Sequence, residues 1–110
     1  MRVAPIPKSM LSGSVGFRVP VEGDYGGEYA EEPKTVTGVY FEPSEGLSAS
    51  GYRLVDGCRG LLFIDAVNSA GAFKVPVGSL AEWEGEEMAV ASVAEFRTPE
   101  GVHHWEVQLV

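Results

Sequence analysis

The chain has 110 residues, 45% of them hydrophobic, with 14 Gly and 7 Pro. At that length it is one domain, able to hide about two-thirds of its unfolded surface, and the Gly and Pro content suits many short elements joined by turns. A formal charge of −8, from 16 acidic and 8 basic side chains, argues against a surface built to grip a phosphate backbone, and a single Cys58 excludes an internal disulfide or a multi-Cys zinc motif.

Residues 1–12 place Pro5 and Pro7 around Ile6, followed by Lys8. Alternate prolines block a helix and favour an extended arm. Val3, Ile6, Met10 and Leu11 leave two readings open, a loosely ordered leader or an arm that docks on a partner. The opening MRVAPIPKSM lacks the apolar block of a secretion signal, and no apolar run approaches ~18 residues, so the cytoplasm, or an assembly put together there, is the expected compartment.

Residues 14–21 read as a first strand with Val15, Phe17, Val19 and Val21 on one face. Pro20 has no amide hydrogen and places that end at a sheet edge. Residues 22–33 (EGDYGGEYAEEP) form an acidic, Gly-rich connection of about twelve residues, expected to be exposed and mobile. Residues 34–44 (KTVTGVYFEPS) are a second, β-branched and aromatic strand ended by Pro43; alternation puts Val39 and Phe41 on one face and Val36, Gly38 and Tyr40 on the other.

Residues 45–60 (EGLSASGYRLVDGCRG) are the longest stretch without a period, and read as a projecting loop that still holds Leu47, Tyr52, Leu54 and Val55. Apolar groups that a loop cannot bury against its own core are candidates for burial in a partner. Residues 61–67 (LLFIDAV) are apolar on both faces apart from Asp65, so the strand is central with both faces covered, or lies against another subunit. Residues 73–81 are interrupted by Pro76 and Gly78 and read as a turn and a short irregular strand reaching Trp83.

After a polar turn at residues 83–87 comes an apolar run, residues 88–96, whose alternation slips. Either Ser92 and Ala94 are buried, or a β-bulge near Ala91 and Ser92 resets the register. A Pro-Gly turn at residues 97–101 leads to a last strand that alternates cleanly, with His103, Trp105, Val107 and Leu109 on one face and His104, Glu106 and Gln108 on the other. The expectation is an all-β domain, a small antiparallel β-barrel (SH3-like or sandwich-like) of about six strands, with one long inserted loop at residues 45–60 and an N-terminal arm.

Candidate chemistry is sparse. His103 and His104 are neighbours on a strand, so they point to opposite faces and do not chelate one metal together. His104 and Glu106 share a face but supply only two of the three or four ligands zinc requires. His103 is expected to be hydrogen-bonded and partly buried. There is no G-x-S-x-G elbow, and Gly26-Gly27 is followed by acid, not by the Lys and Ser or Thr of a phosphate loop. Cys58 beside Arg59 has no His signposted as a base, and Glu82, Glu84, Glu86 and Glu87 read as a solvated turn. No catalytic group, metal or cofactor is expected.

Pro5-Ile6-Pro7-Lys8, then Val39-x-Phe41-Glu42-Pro43-Ser44, then Leu61 to Asp65 with Asn68-Ser69, then Gly85 to Val93, and finally Gly101-Val102-His103-His104-Trp105-Glu106-Val107-Gln108-Leu109 follow one another along nearly the whole chain. In that order they resemble the phage minor capsid or head–tail joining family of siphophages and Gram-positive prophages. The closing G-x-H-H-W/Y-E-x-x-L is the most distinctive part. The resemblance implies a head-closure (stopper-like) protein: a small β-barrel with a long internal loop, assembled as a homo-oligomeric ring with the portal or adaptor on one side and tail proteins on the other. It would sit at the head–tail neck of the virion, after a stage in the host cytoplasm. DNA would pass through without specific binding, and no membrane would be involved. A tail-side joining protein (terminator or completion factor) and a free ligand-binding barrel are the alternatives. If arm and loop are interfaces, Ile6, Lys8, Tyr52, Arg53, Leu54 and Arg59 are the expected contact residues, Tyr and Arg being enriched among energetic hot spots.

Overall fold

In the computed structural model, which describes residues 4–21, 28–49 and 53–110, six antiparallel strands close on themselves. They are β1 (Gly13–Arg18), β2 (Lys34–Pro43), β3 (Gly60–Asp65), β4 (Leu80–Trp83), β5 (Glu86–Thr98) and β6 (Gly101–Leu109). Their order around the barrel is β1-β2-β3-β6-β5-β4, with β1 pairing back to β4. The expected all-β barrel is therefore what forms. Closure leaves no free sheet edge in the barrel wall, which removes the usual template for unwanted strand pairing.

The interior is filled by alternate residues of each strand, among them Val15, Phe17, Leu62, Ile64, Val107 and Leu109. Trp105 stands with them and is 8% exposed. Its indole Nε1 donates to Glu95 Oε1 at 3.2 Å, so the one polar atom of the ring is satisfied at the barrel wall. The inward face assigned to Trp105, Val107 and Leu109 holds. β3 is buried on both faces, Leu61 and Leu62 alike having no exposed surface. A short helix α1 (Ser44–Ala49) packs on β2 and β3 and buries its own Leu47. Its presence differs from the expected loop: the first six residues after Pro43 are helical, and they supply the outer cover that an apolar β3 requires.

Two bulges decide which side chains point inward. On β2, Val36 and Val39 are both fully buried, which strict alternation forbids. Between them Gly38 adopts φ +72°, and the pairing with β1 slips from Gly13↔Val39 to Ser14↔Thr37. A Cβ on Gly38 would stand 3.0 Å from the Asn68 carbonyl, so only glycine fits both the conformation and the space. The assignment of Val36 to the face opposite Val39 is corrected by this bulge. On β5 the register shifts between Val90 and Ser92, which is the bulge of the two readings left open there, and Val93 then packs against the core.

Pro20 forms an isolated bridge with Tyr29 beyond the end of β1. Of the acidic connection expected over residues 22–33, residues 22–27 lie outside the described residues. β4 and β5 are joined through Glu84 and Gly85, both with positive φ (48° and 81°), as a tight two-residue hairpin requires.

Candidate functional site

A network of polar groups lies where the N-terminal arm crosses the end of β3 and the start of β6. Asp65, the one acid in an otherwise apolar strand, is completely buried. Its Oδ1 accepts from the Ile6 amide at 2.9 Å, and its Oδ2 accepts from the Val67 and Asn68 amides at 2.9 and 2.7 Å. The carboxylate therefore closes the turn after β3 and fastens the arm to it. Asn68 Nδ2 donates back to the Ile6 carbonyl at 2.8 Å, so both backbone groups of Ile6 are held. Ser69 Oγ accepts from the Asp65 amide at 2.8 Å and donates to the Gly38 carbonyl, linking this corner to the bulge of β2.

Beside the corner, the two histidines do not point to opposite faces. Phe96 pairs with His104 while Arg97 pairs with Val102, leaving His103 as the extra residue of a bulge on β6. The bulge turns the two rings toward each other, with Nδ1 to Nδ1 at 2.7 Å. His103 Nε2 reaches the Ala4 carbonyl at 2.7 Å, and His104 Nε2 reaches Glu106 Oε2 at 2.8 Å. The shared face of His104 and Glu106 is as expected. Even so, among the described residues no three His, Cys, Asp or Glu side chains form a group that would hold a metal ion.

Around these groups an aromatic row crosses the outer wall of the barrel. Tyr40 on β2 meets Phe63 on β3 (ring centroids 5.9 Å), Phe63 meets His104 (6.3 Å), and His104 stacks on Phe96 of β5 (4.7 Å, rings parallel). Tyr40 donates its hydroxyl to Glu42, and that bond, with the nearby carboxylate charge, pushes the phenol above its ordinary range. A hollow of about 440 Å³ lies over this row, bounded by Ile6, Pro7, Met10, Tyr40, Phe63, His104 and Glu106. A second, of about 480 Å³, lies on the other side of the arm beside Ala4, Pro5, Val67 and His103. Val67, Met10 and Phe96 are 71%, 53% and 41% exposed, so the arm runs through apolar surface open to solvent.

The contact residues expected from the sequence fall in two places. Ile6 is half-buried on the Asp65–Asn68 corner, and Lys8 is exposed in a single 3₁₀ turn, Lys8–Met10. Arg53, Leu54 and Arg59 lie at the opposite end of β6. There Gln108, 8% exposed, accepts from the Val55 amide at 2.7 Å and donates to the Arg53 carbonyl at 3.2 Å. The Arg59 amide donates to Leu109 at 2.7 Å, and its carbonyl accepts from Ser44 at 2.9 Å. The backbone of 53–59 is thus bound to the barrel while the Arg53 and Arg59 side chains stay outside, Arg59 3.9 Å from Glu86. Tyr52 lies outside the described residues. The sequence reading missed the aromatic row and the anchoring role of Asp65; a buried acid in an apolar run, followed by Asn68-Ser69, was the available signal.

The arrangement positions chain segments. Cys58 Sγ donates to the Gly60 carbonyl at 3.3 Å, Glu82, Glu84 and Glu87 stand exposed on the β4–β5 hairpin, and among the described residues no buried side-chain N or O lacks a partner. No helix of the described residues is long and apolar enough to cross a membrane. Searches of curated proteins and of solved structures return no match. The model of a family described as minor capsid protein does match, over residues 7–109, which takes in every strand of the barrel. The chain therefore belongs to the minor capsid protein family and is a structural protein of a phage virion.

Proposed function

We propose that the protein is a head-closure, stopper-like subunit of the head–tail neck, working without catalysis in a homo-oligomeric ring around the DNA exit channel, with the portal or adaptor on one side and the tail on the other. The observation that carries this reading is the separation of the two contact segments. The arm is fastened to the Asp65 end of β3, and the 53–59 segment is fastened to the Gln108–Leu109 end of β6. A rigid closed barrel with one adhesive segment at each end suits a subunit that touches neighbours on two sides. The formal charge of −8 suits a channel through which DNA slides without being held. Before assembly the subunit would reside in the host cytoplasm.

The test is a deletion of this gene in the phage that encodes it. A stopper predicts heads that package DNA and then lose it, and tails that complete normally but stay unattached; adding the purified protein restores DNA retention. DNA-filled, stable heads accumulating beside defective tails would refute the head-side role and favour a tail-side joining protein.

A further inference from the structure

The large hydrophobic side chains left exposed among the described residues are Met10, Val21, Val67, Val77 and Phe96, and they fall in two groups. Val67 and Met10 border the two hollows along the arm, and Phe96 stacks on His104 beside them. Val21 and Val77 follow Pro20 and Pro76, which bound a third hollow of about 380 Å³ together with Val19, Lys34, Phe73 and Lys74. The first group lies where the arm crosses β3 and β6, and the second lies at the continuation of β1 and the approach to β4. In the closed order β1 stands three strands from β6, and β4 three strands from β3. One barrel thus carries two apolar patches on different sides, and exposed apolar surface of that kind marks contact with another molecule.

The charges beside the patches are opposite. The hollows along the arm are lined by Glu100 and Glu106 and by no Lys or Arg, whereas the third hollow is lined by Lys34 and Lys74 and by no acid. Lys34 Nζ stands 4.8 Å from the centre of the Phe73 ring and Lys74 Nζ 3.7 Å from Glu95 Oε1, and both residues remain exposed. Arg18, exposed at the end of β1, adds a third cation to this side. Glu31 and Glu32 are exposed ahead of Lys34, and the arm carries the exposed Lys8, so the reversed pairing is available as well.

We propose, resting on the ring reading above, that these patches are the two halves of a head-to-tail contact between copies of this chain: the arm side of one barrel receives the Val21–Val77 side of the next. A cyclic ring joins unlike faces, so each subunit must present two different, complementary patches. Apolar patches with opposite flanking charge supply the burial and fix the orientation. Val77 is central in a tight turn in which the Ser79 amide donates to the Pro76 carbonyl at 3.2 Å and Gly78 takes φ +92°, a projecting shape that a hollow accepts. The same patch does not suit itself: two arm sides brought together would set Glu100 and Glu106 against their own copies, and two opposite sides would set Lys34 and Lys74 against theirs.

The test uses full-length variants that each spoil one patch: Phe96→Asp on the arm side, backed by Met10→Asp in case Phe96→Asp folds poorly, and Val77→Asp on the other side. ¹⁵N-labelled Val77→Asp, which keeps the arm side, is titrated with unlabelled Phe96→Asp, which keeps the other, up to about 1 mM, a level that reads a Kd of that order. The Met10, Phe63 and His104 amide resonances should move, and sedimentation should show assembly that stops at two copies, since each partner has one good face left. Titration with unlabelled Val77→Asp should leave those resonances in place, and adding Lys34→Glu and Lys74→Glu to the unlabelled Phe96→Asp chain should remove most of the shift. No movement with Phe96→Asp, or equal movement with Val77→Asp, would overturn the head-to-tail contact. Immunogold label at the neck of particles without any such movement would strike this contact and leave the ring reading standing on other surfaces. Absence of neck label would strike the ring reading whatever the titration shows.

Discussion

Replacing Trp105 by Ala removes the largest inward-facing side chain of the last strand. An indole buries about 150–250 Å², and here 8% of the residue remains exposed. At ~25 cal/mol per Å² that is about 4–6 kcal/mol of transfer free energy, an upper figure because the unfolded chain already hides part of the ring. Truncations of buried aromatics cost about 3–5 kcal/mol, and the Trp105→Ala loss should fall in that range. Since a domain of this size has about 5–15 kcal/mol in total, the variant should stay folded in the cold but melt at least ~12 °C lower, at about 4–8 °C per kcal/mol. Urea denaturation followed by far-UV circular dichroism reads the loss without relying on tryptophan fluorescence. Trp105→Phe should cost far less, about 1–2 kcal/mol, as it keeps the ring and gives up the bond to Glu95. A loss below ~1 kcal/mol for Trp105→Ala would show that the ring faces solvent or a partner, and the inward register of β6 would have to be abandoned.

Gly38→Ala should destabilise by about 2 kcal/mol or more, because it combines a positive φ with a Cβ 3.0 Å from a carbonyl oxygen. Gly85→Ala, also at positive φ but with open space around it, should cost about 1 kcal/mol; equal urea midpoints for the two would contradict the packing argument at Gly38. Arg53→Ala combined with Arg59→Ala should change stability by no more than ~0.5 kcal/mol per site yet reduce incorporation into particles, measured by immunoblot of purified virions. A large fall in melting temperature would instead make both side chains part of the fold. The Arg97 guanidinium, and after it the Trp105 indole, hold the Glu95 carboxyl below the usual carboxylate range. A group whose folded value is depressed contributes stability above its unfolded value, about pH 4.3, and loses it as pH falls through the folded value. Glu95→Gln should therefore flatten the acid side of the stability–pH curve, and an unchanged acid slope would count against the pairing.

Much of the barrel was legible because hydrophobic alternation survives wherever strands pair without interruption. β6 shows this from Trp105 to Leu109, and so does β3, whose apolar character on both faces foretold that both would be covered. Reading failed where one residue breaks the period. Gly38 places Val36 and Val39 on the same side, and nothing in KTVTGVYFEPS distinguishes a bulge glycine from an ordinary strand glycine. The bulge at His103 was equally silent, because the pairing slip lies across the strand in the Phe96–Arg97 register and not in the local sequence of β6. Helix α1 was hidden by length: six residues rich in Ser, Gly and Ala are too few for a 3.6-residue period to show, and the helix exists because β3 needs cover. The contact residues stand differently. Ile6, Arg53, Leu54 and Arg59 were chosen by residue type and position, and the fold shows where their backbones are anchored.

Immunogold labelling of intact and tail-less particles, with an antibody to this protein, tests the central claim most directly. A head-closure subunit predicts label at the neck of tailed particles and at the portal vertex of tail-less heads alike. Label confined to tailed particles and free tails would move the protein to the tail side of the joint, and particles without label would contradict the neck assignment altogether.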